Sequence, residues 1–204
     1  MLEAVPVCRP FVSELWVHIL HGIWLGGFRR SEIPIVSWDW SAPMSLQVSD
    51  PPHLKITIEG DKKGADYFAP VAPDFVEYMC NRTPPDDRKG RIFRVDYEPD
   101  WIGRTISRFG EHAGIIVNDE GKTATAHDLR RSFGTRWAKR VREPLHLKEL
   151  MRHANIETTM KYYVDIGLAD IAKKLSSALG GFLGGSEQHV GGTKLPKSGE
   201  YPLK

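Results

Sequence analysis

His153 and Tyr162 stand nine residues apart in HANIETTMKYY, where a polar turn leads into a stretch that ends in two tyrosines. A phenol is a poor nucleophile at neutral pH. With a pKa near 10, only about one in a thousand is ionised, a shortfall of about 4 kcal/mol. A tyrosine that attacks therefore needs a base, or cations that favour the phenolate. The ordinary alternative is a pair of half-buried tyrosines at a helix end.

HDLRR, residues 127–131, offers the cations. His127 and Arg130 are three apart and share a face on a helix. Side by side they repel if both are charged, and they coexist comfortably around an anion. A phosphate fits, because guanidinium binds it through two parallel hydrogen bonds. Such a set would also stabilise the charge that develops during phosphoryl transfer. Arg29, in GGFRRSE, and Lys62 or Lys63, in a turn, are further candidates. Each has an ordinary reading: a solvated arginine, a turn lysine, a histidine closing its helix at 153.

These residues need elements to hold them. Val12, Leu15, Trp16, Ile19 and Ile23 recur at helical spacing, and Gly26 and Gly27 end that helix. SEIPI reads as a short helix with Pro34 in its first turn. LKITIEG, DKKG and ADYFAPV read as an antiparallel hairpin carrying the two lysines at its turn. PDFVEYMCN, WIGRTISRFGEHAG, AHDLRRSFGTRWAKRV, EPLHLKELMRHA and IETTMKYYV are predicted helices, with Gly114 closing the second and Asn155 capping the last. LADIAKKLSSAL is a final amphipathic helix. From Gly180 the composition turns to Gly, Ser, Lys and Pro, which predicts a disordered tail over 180–204. The fold class expected is α+β, mainly helical with a small antiparallel β-sheet.

The 204 residues suffice for one domain, and 41% apolar and 26% charged content is ordinary for a globular one. Net charge is only +2, so the distribution matters more than the sum. Between Lys122 and Arg152 nine lysines and arginines stand against Asp128, Glu143 and Glu149, a local basic surface suited to a polyanion. Cys8 and Cys80 lack the spacing of a zinc site or disulfide framework, which fits a reducing compartment. The greasy FVSELWVHILHGIWL is interrupted by Glu14, His18 and His21 and reads as an amphipathic helix, not a signal peptide. No membrane partner is expected, and the expected location is the cytoplasm.

Taken together, the motifs resemble the catalytic domain of the tyrosine recombinases, the phage integrase family. HDLRRSFGTRWA resembles its His-x-x-Arg box. LMRHANIETTMKYYV resembles its Leu-x-x-His box, whose nucleophile lies nine residues beyond the histidine, and this selects Tyr162 over Tyr163. GGFRRSEIPIVSWDW resembles the first box, Gly-x-Arg-x-Ser-Glu, and selects Arg29, with Glu32 and Trp38 at flanking positions. KITIEGDKKGADYFAPV resembles the hairpin that carries the family's lysine, and favours Lys62 with Lys63 second. The resemblance runs from about residue 12 to 178, and residues 1–179 are expected to form the catalytic domain.

The resemblance implies a DNA strand-exchange enzyme acting on double-stranded DNA through a 3′-phosphotyrosyl bond, as a tetramer on two duplexes. Tyr162 would attack, Arg29 and Arg130 would hold the non-bridging oxygens, and Lys62 would protonate the departing 5′ oxygen. His127 would assist proton transfer and His153 would hydrogen-bond the phosphate. No metal or nucleotide cofactor is implied. Two departures stand out. Arg152 replaces the usual Gly before the histidine, which reads as an added phosphate contact or as neutral. Only 28 residues precede Arg29, so the family's separate N-terminal DNA-gripping domain is expected to be absent. The rival readings are a catalytically impaired DNA-binding remnant, a type IB topoisomerase-like relaxing activity, and a helical module for an acidic protein partner.

Overall fold

Buried aromatic rings gather the first helices. Helix α1, Val5–Cys8, precedes α2, Ser13–Gly26, on which Trp16, Ile19 and Ile23 are fully buried. Trp16 meets Tyr97, Trp101 and Phe109 with ring centroids 6.2, 5.5 and 5.4 Å away. Each such large apolar side chain contributes about 1.5–3 kcal/mol on burial. Val12, expected on the buried face, is instead the N-cap residue and is exposed. This computed structural model describes residues 1–9, 12–57, 66–141 and 143–163, all within one compact unit, Met1–Ile166. The predicted last helix and the tail over 180–204 lie outside the described residues.

The small sheet is larger than the predicted hairpin. It holds β1 (Val36–Ser37), β2 (Met44–Gln47), β3 (His53–Ile56) and β4 (Tyr67–Pro70), in that spatial order. β1 and β2 are parallel, and the other two pairings are antiparallel. β3 and β4 are the predicted pair. β1 was missed because two residues are too few to alternate, and β2 because MSLQ lacks the β-branched residues that mark LKITI. Register places Met44 opposite Ile56 and Leu46 opposite Leu54, all four against the core. On the other face Lys55 pairs with Phe68, which is exposed.

The remaining helices follow the predicted order: α3 (Pro73–Arg82), α4 (Pro99–His112), α5 (Ala126–Arg140), α6 (Pro144–Met151) and α7, helical over 156–163. Proline stands in the first turn of α3, α4 and α6, where its missing N–H costs nothing. The short helix expected over SEIPI does not form. Residues 30–35 are turns, closed by Glu32 N to Arg29 O and by the amides of Ile35 and Val36 to Glu32 O. Pro34 has no N–H with which to propagate a helix there.

Candidate active site

Gly27 aims the first candidate. It caps α2 in the left-handed region at φ 62, and a Cβ there would lie 2.5 Å from the Phe133 ring. Conformation and space both require glycine, and the tight turn delivers Arg29 two residues later. Arg29 is pinned by Glu32. Its amide donates to Oε2 at 2.7 Å and its Nη1 to Oε1 at 2.7 Å, while Nη2 donates to the carbonyl of Arg152 at 2.6 Å.

A capping box starts α5. The Thr125 amide and hydroxyl donate to Asp128 Oδ2 at 3.0 and 2.6 Å. Burial would raise the Asp128 carboxyl, but these bonds and Lys122 hold it below its ordinary value. The box sets the phase of the helix, leaving His127 exposed in the first turn and Arg130 buried one turn on. Arg130 donates from Nη1 to the Gly27 carbonyl and from Nη2 to the Met151 carbonyl. It therefore ties the end of α2 to the end of α6. Burial, then repulsion from Arg152, lowers this guanidinium to about 9.

α6 ends in Arg152, itself left-handed at φ 57, and the chain turns into His153. His153 is buried, and its Nδ1 lies 2.9 Å from the Thr159 hydroxyl on α7. Burial first, then the charges of Arg130, Arg29 and Arg152, lower its imidazole to about 4. At neutral pH it is uncharged and offers only a neutral donor or acceptor. Tyr162, one turn beyond Thr159 on α7, stacks on His153 with centroids 6.1 Å apart and planes 20° apart.

Tyr162 sits where its hydroxyl feels Arg130 and Arg131, which favour the phenolate, yet burial outweighs them and its pKa is raised. The expected net push toward the phenolate is thus absent in the free protein. Low dielectric penalises the anion more than these guanidiniums reward it. The neighbouring Tyr163 is occupied differently, its hydroxyl donating to the Val141 carbonyl at 2.8 Å.

Arg29, His127 and Arg130 line one cleft of about 740 Å³, shared with Arg30, Arg104 and Arg108. The arginines of α4 were missed in the sequence. Arg104 and Arg108 are both exposed and four apart, so they share a polar helix face, and that spacing was the available signal. Arg30 lies over Gly103, whose added Cβ would fall 2.9 Å from Nη1, and pairs with Asp100 at 2.9 Å. Lys62 and Lys63 lie outside the described residues. Among the described residues no group of three or more His, Cys, Asp or Glu could hold a metal.

Arg152 corrects one expectation. It is 2% exposed and faces inward, so its side chain is not placed as a surface phosphate contact. Its guanidinium bonds Glu32 through Nη2 at 2.7 Å and Nε at 3.3 Å, and the Gly27 carbonyl at 3.0 Å. The basic run is also less of a surface than it reads. Arg136 donates to the Trp24 carbonyl at 2.6 Å and lies over its ring, and Arg140 pairs with Asp74 at 2.9 Å.

Known proteins resemble this chain in sequence and in fold. Residues 98–166 match the model of the phage integrase family. The tyrosine recombinase XerA of Pyrococcus furiosus is 27% identical over 174 residues, which cover 79% of this chain and 53% of that protein. The chain thus spans about half the length of this curated relative. Two crystal structures have the same fold. One is XerA recombinase, at TM-score 0.51 and 19% identity, covering 85% of this chain and 62% of that one. The other is XerH site-specific recombinase bound to its difH substrate in a pre-cleavage complex, at TM-score 0.53 and 14% identity, covering 79% and 47%. No helix among the described residues is long and apolar enough to cross a membrane.

Proposed function

We propose that this chain, whose residues 98–166 belong to the phage integrase family, breaks and rejoins double-stranded DNA through a phosphotyrosyl bond on Tyr162. One observation carries the reading: Arg130 bridges the ends of α2 and α6 and lines the cationic cleft, and its charge acts on the Tyr162 hydroxyl. A nucleophile, a neutral histidine and two guanidiniums, Arg29 and Arg130, then converge on one anion.

Tyr162 Oη attacks a backbone phosphorus and the bond to the 5′ oxygen breaks. The phenol proton passes to His127, and the departing 5′ oxygen takes a proton from Lys62. Arg29 and Arg130 hold the non-bridging oxygens, where charge accumulates, and His153 hydrogen-bonds the phosphate. Attack by a second 5′ hydroxyl reverses the steps and rejoins the strands. One phosphodiester is exchanged for another, so no external energy source is consumed. Bound DNA also answers the raised pKa of Tyr162. A base must take the proton as attack proceeds, because the free protein does not store a phenolate. Strand exchange requires two duplexes and a homotetramer, and a cytoplasmic location suits a DNA substrate of this kind.

A pool of nicked duplexes with randomised sequence around the nick tests the reading. Cleavage beside the nick traps the covalent product. The wild-type chain is expected to form a protein–DNA adduct that Tyr162→Phe abolishes and Tyr163→Phe retains. An adduct surviving in Tyr162→Phe, or no adduct from the wild-type chain, overturns it. Binding should weaken steeply with salt, because phosphate contacts release counterions.

A further inference from the structure

Arg29 and Arg130, which line the cleft, are tied to a buried pair, Glu32 and Arg152. Glu32 is 3% exposed, and Arg29, Arg130 and Arg152 all act on it. Burial would raise its carboxyl, but Arg152 first, by charge and hydrogen bond, then Arg130 and Arg29, bring it down to about 2. Glu32 is therefore a fixed negative charge beneath two arginines that must receive a phosphate. A carboxylate in that position competes with the substrate for the same donors.

Arg152 prevents that competition. It occupies Glu32 with two donors, Nη2 and Nε, and leaves Arg29 a single side-chain bond, from Nη1 to Oε1. Its main-chain carbonyl takes the other end of the Arg29 fork at 2.6 Å. Its Nη2 also shares the Gly27 carbonyl with Arg130 Nη1. One residue thus bonds Glu32 and the Gly27 carbonyl and accepts from Arg29, contacts that orient the two phosphate-facing arginines. It does so from a left-handed backbone, φ 57 and ψ 38, that glycine adopts freely and arginine does not. The guanidinium also lies 5.1 Å over the Phe28 ring.

We propose that Arg152 is a positioning residue of the strand-cleavage centre, sequestering the Glu32 carboxylate so that Arg29 and Arg130 stay free to clamp a phosphate. The inference rests on the reading of the cleft as a DNA-phosphate site. It differs from a phosphate contact, since Arg152 itself never touches the substrate. It also differs from a purely structural ion pair, because phosphate binding and cleavage per folded molecule depend on it, and not stability alone. Replacing a buried ion pair by apolar groups of similar size is often tolerated, whereas removing one partner alone leaves an unpaired charge.

The test uses the full chain, the nicked-duplex pool and inorganic phosphate, with thermal unfolding to confirm that each variant is folded. Arg152→Met frees Glu32 to neutralise Arg29 and Arg130. Single-turnover cleavage is expected to fall about 100-fold, the cost of misplacing a positioned group, and phosphate binding by 31P NMR to weaken in parallel. Arg152→Met with Glu32→Gln removes the competitor as well, and should regain at least about tenfold of both per folded molecule, whereas a merely structural pair would restore thermal stability and leave both per-molecule readouts unmoved by either change. Arg152→Lys keeps the charge but not the fork, and should lose about tenfold. If Arg152→Met does not fold, Arg152→Lys and the double variant carry the test. Overturning results are a lysine variant equal to wild type in both readouts, or a double variant that recovers nothing relative to Arg152→Met, or to Arg152→Lys where only that single variant folds. If the wild-type chain forms no DNA adduct, the proposed function fails by itself. Phosphate binding by the same variants then decides the role of Arg152.

Discussion

This molecule contains two histidine–tyrosine pairs that look alike and are used differently. In the core, His18 of α2 meets Tyr78 of α3, with Nδ1 3.0 Å from the phenol oxygen and ring centroids 5.6 Å apart. Beside Arg130, His153 meets Tyr162 with ring centroids 6.1 Å apart. Both imidazoles are lowered to about 4, and both phenols are raised by burial. Perturbed titration therefore does not separate the site from the core, since burial alone produces it. Hydrogen bonding and charge do. The first histidine bonds directly to its tyrosine's hydroxyl. The second is bonded to Thr159 instead, and faces a cluster of guanidiniums from Arg29, Arg130 and Arg152.

The sharpest way to break this comparison is to remove each hydroxyl. Tyr162→Phe is expected to abolish adduct formation, while Tyr78→Phe loses only the bond to His18, about 1 kcal/mol of stability. Denaturant midpoints and trapped-adduct gels read the two effects separately. An adduct lost equally in both variants would make the two pairs equivalent. Next come the arginines beside each pair. Arg130→Lys gives up the two-carbonyl bridge to Gly27 and Met151, and should slow cleavage about 10²–10³-fold, the range for losing a charge-stabilising donor. Arg82, whose charge acts on His18 and Tyr78, is exposed, and Arg82→Lys should leave cleavage within about twofold.

A glycine underlies each pair and offers a smaller, geometric contrast. A Cβ on Gly134 would lie 2.5 Å from Tyr162 Cε1 and 2.7 Å from Met151 Sδ. A Cβ on Gly22 would lie 2.2 Å from Phe93, which packs on His18 at 4.8 Å. Both alanine variants are overpacked and should lose about 1–3 kcal/mol. Only Gly134→Ala displaces the nucleophile, so it alone should slow cleavage per folded molecule, by about tenfold, measured in single turnover and normalised to the folded fraction. Equal slowing in Gly22→Ala would show that the effect is general loosening.

What the sequence disclosed and what it concealed divide along the same line. Helices α2 to α7 were legible because apolar period, Gly27 and Gly114 as stops, and Pro73 as an entry are local signals. The hairpin of β3 and β4 was legible for the same reason. The burial of Arg152 was not, because it depends on Glu32, 120 positions away in the chain. A run of arginines reads as solvated until its partners are known, and here the Gly27 carbonyl takes Arg130 inward while Trp24 and Asp74 engage Arg136 and Arg140 nearer the surface. The direction of the Tyr162 shift was concealed too. Counting nearby cations from sequence omits the desolvation that opposes them. Thr125 and Asp128, by contrast, form a capping box at a readable spacing that went unused.

Acid titration gives the smallest effect and the finest discrimination between the pairs. Each imidazole is lowered from 6.5 to about 4, so as pH falls the unfolded chain takes up the proton before the native one does. Stability is therefore complete above about pH 6.5 and declines as pH falls toward 4, by up to about 3 kcal/mol for each histidine. Glu32, held near 2, adds its own loss only below about pH 4.5. Urea midpoints between pH 7 and 4.5 should thus show a slope that His18→Gln and His153→Gln each reduce. Sulfate, whose charge is constant over this range, separates them. Seated among the guanidiniums it offsets the charges of Arg130, Arg29 and Arg152 on His153, whereas burial and Arg82 govern His18. In His18→Gln, where His153 carries the remaining slope, sulfate should flatten it. In His153→Gln the remaining slope should not respond. A slope that flattens equally in both variants would place the anion elsewhere and dissolve the distinction between the pairs.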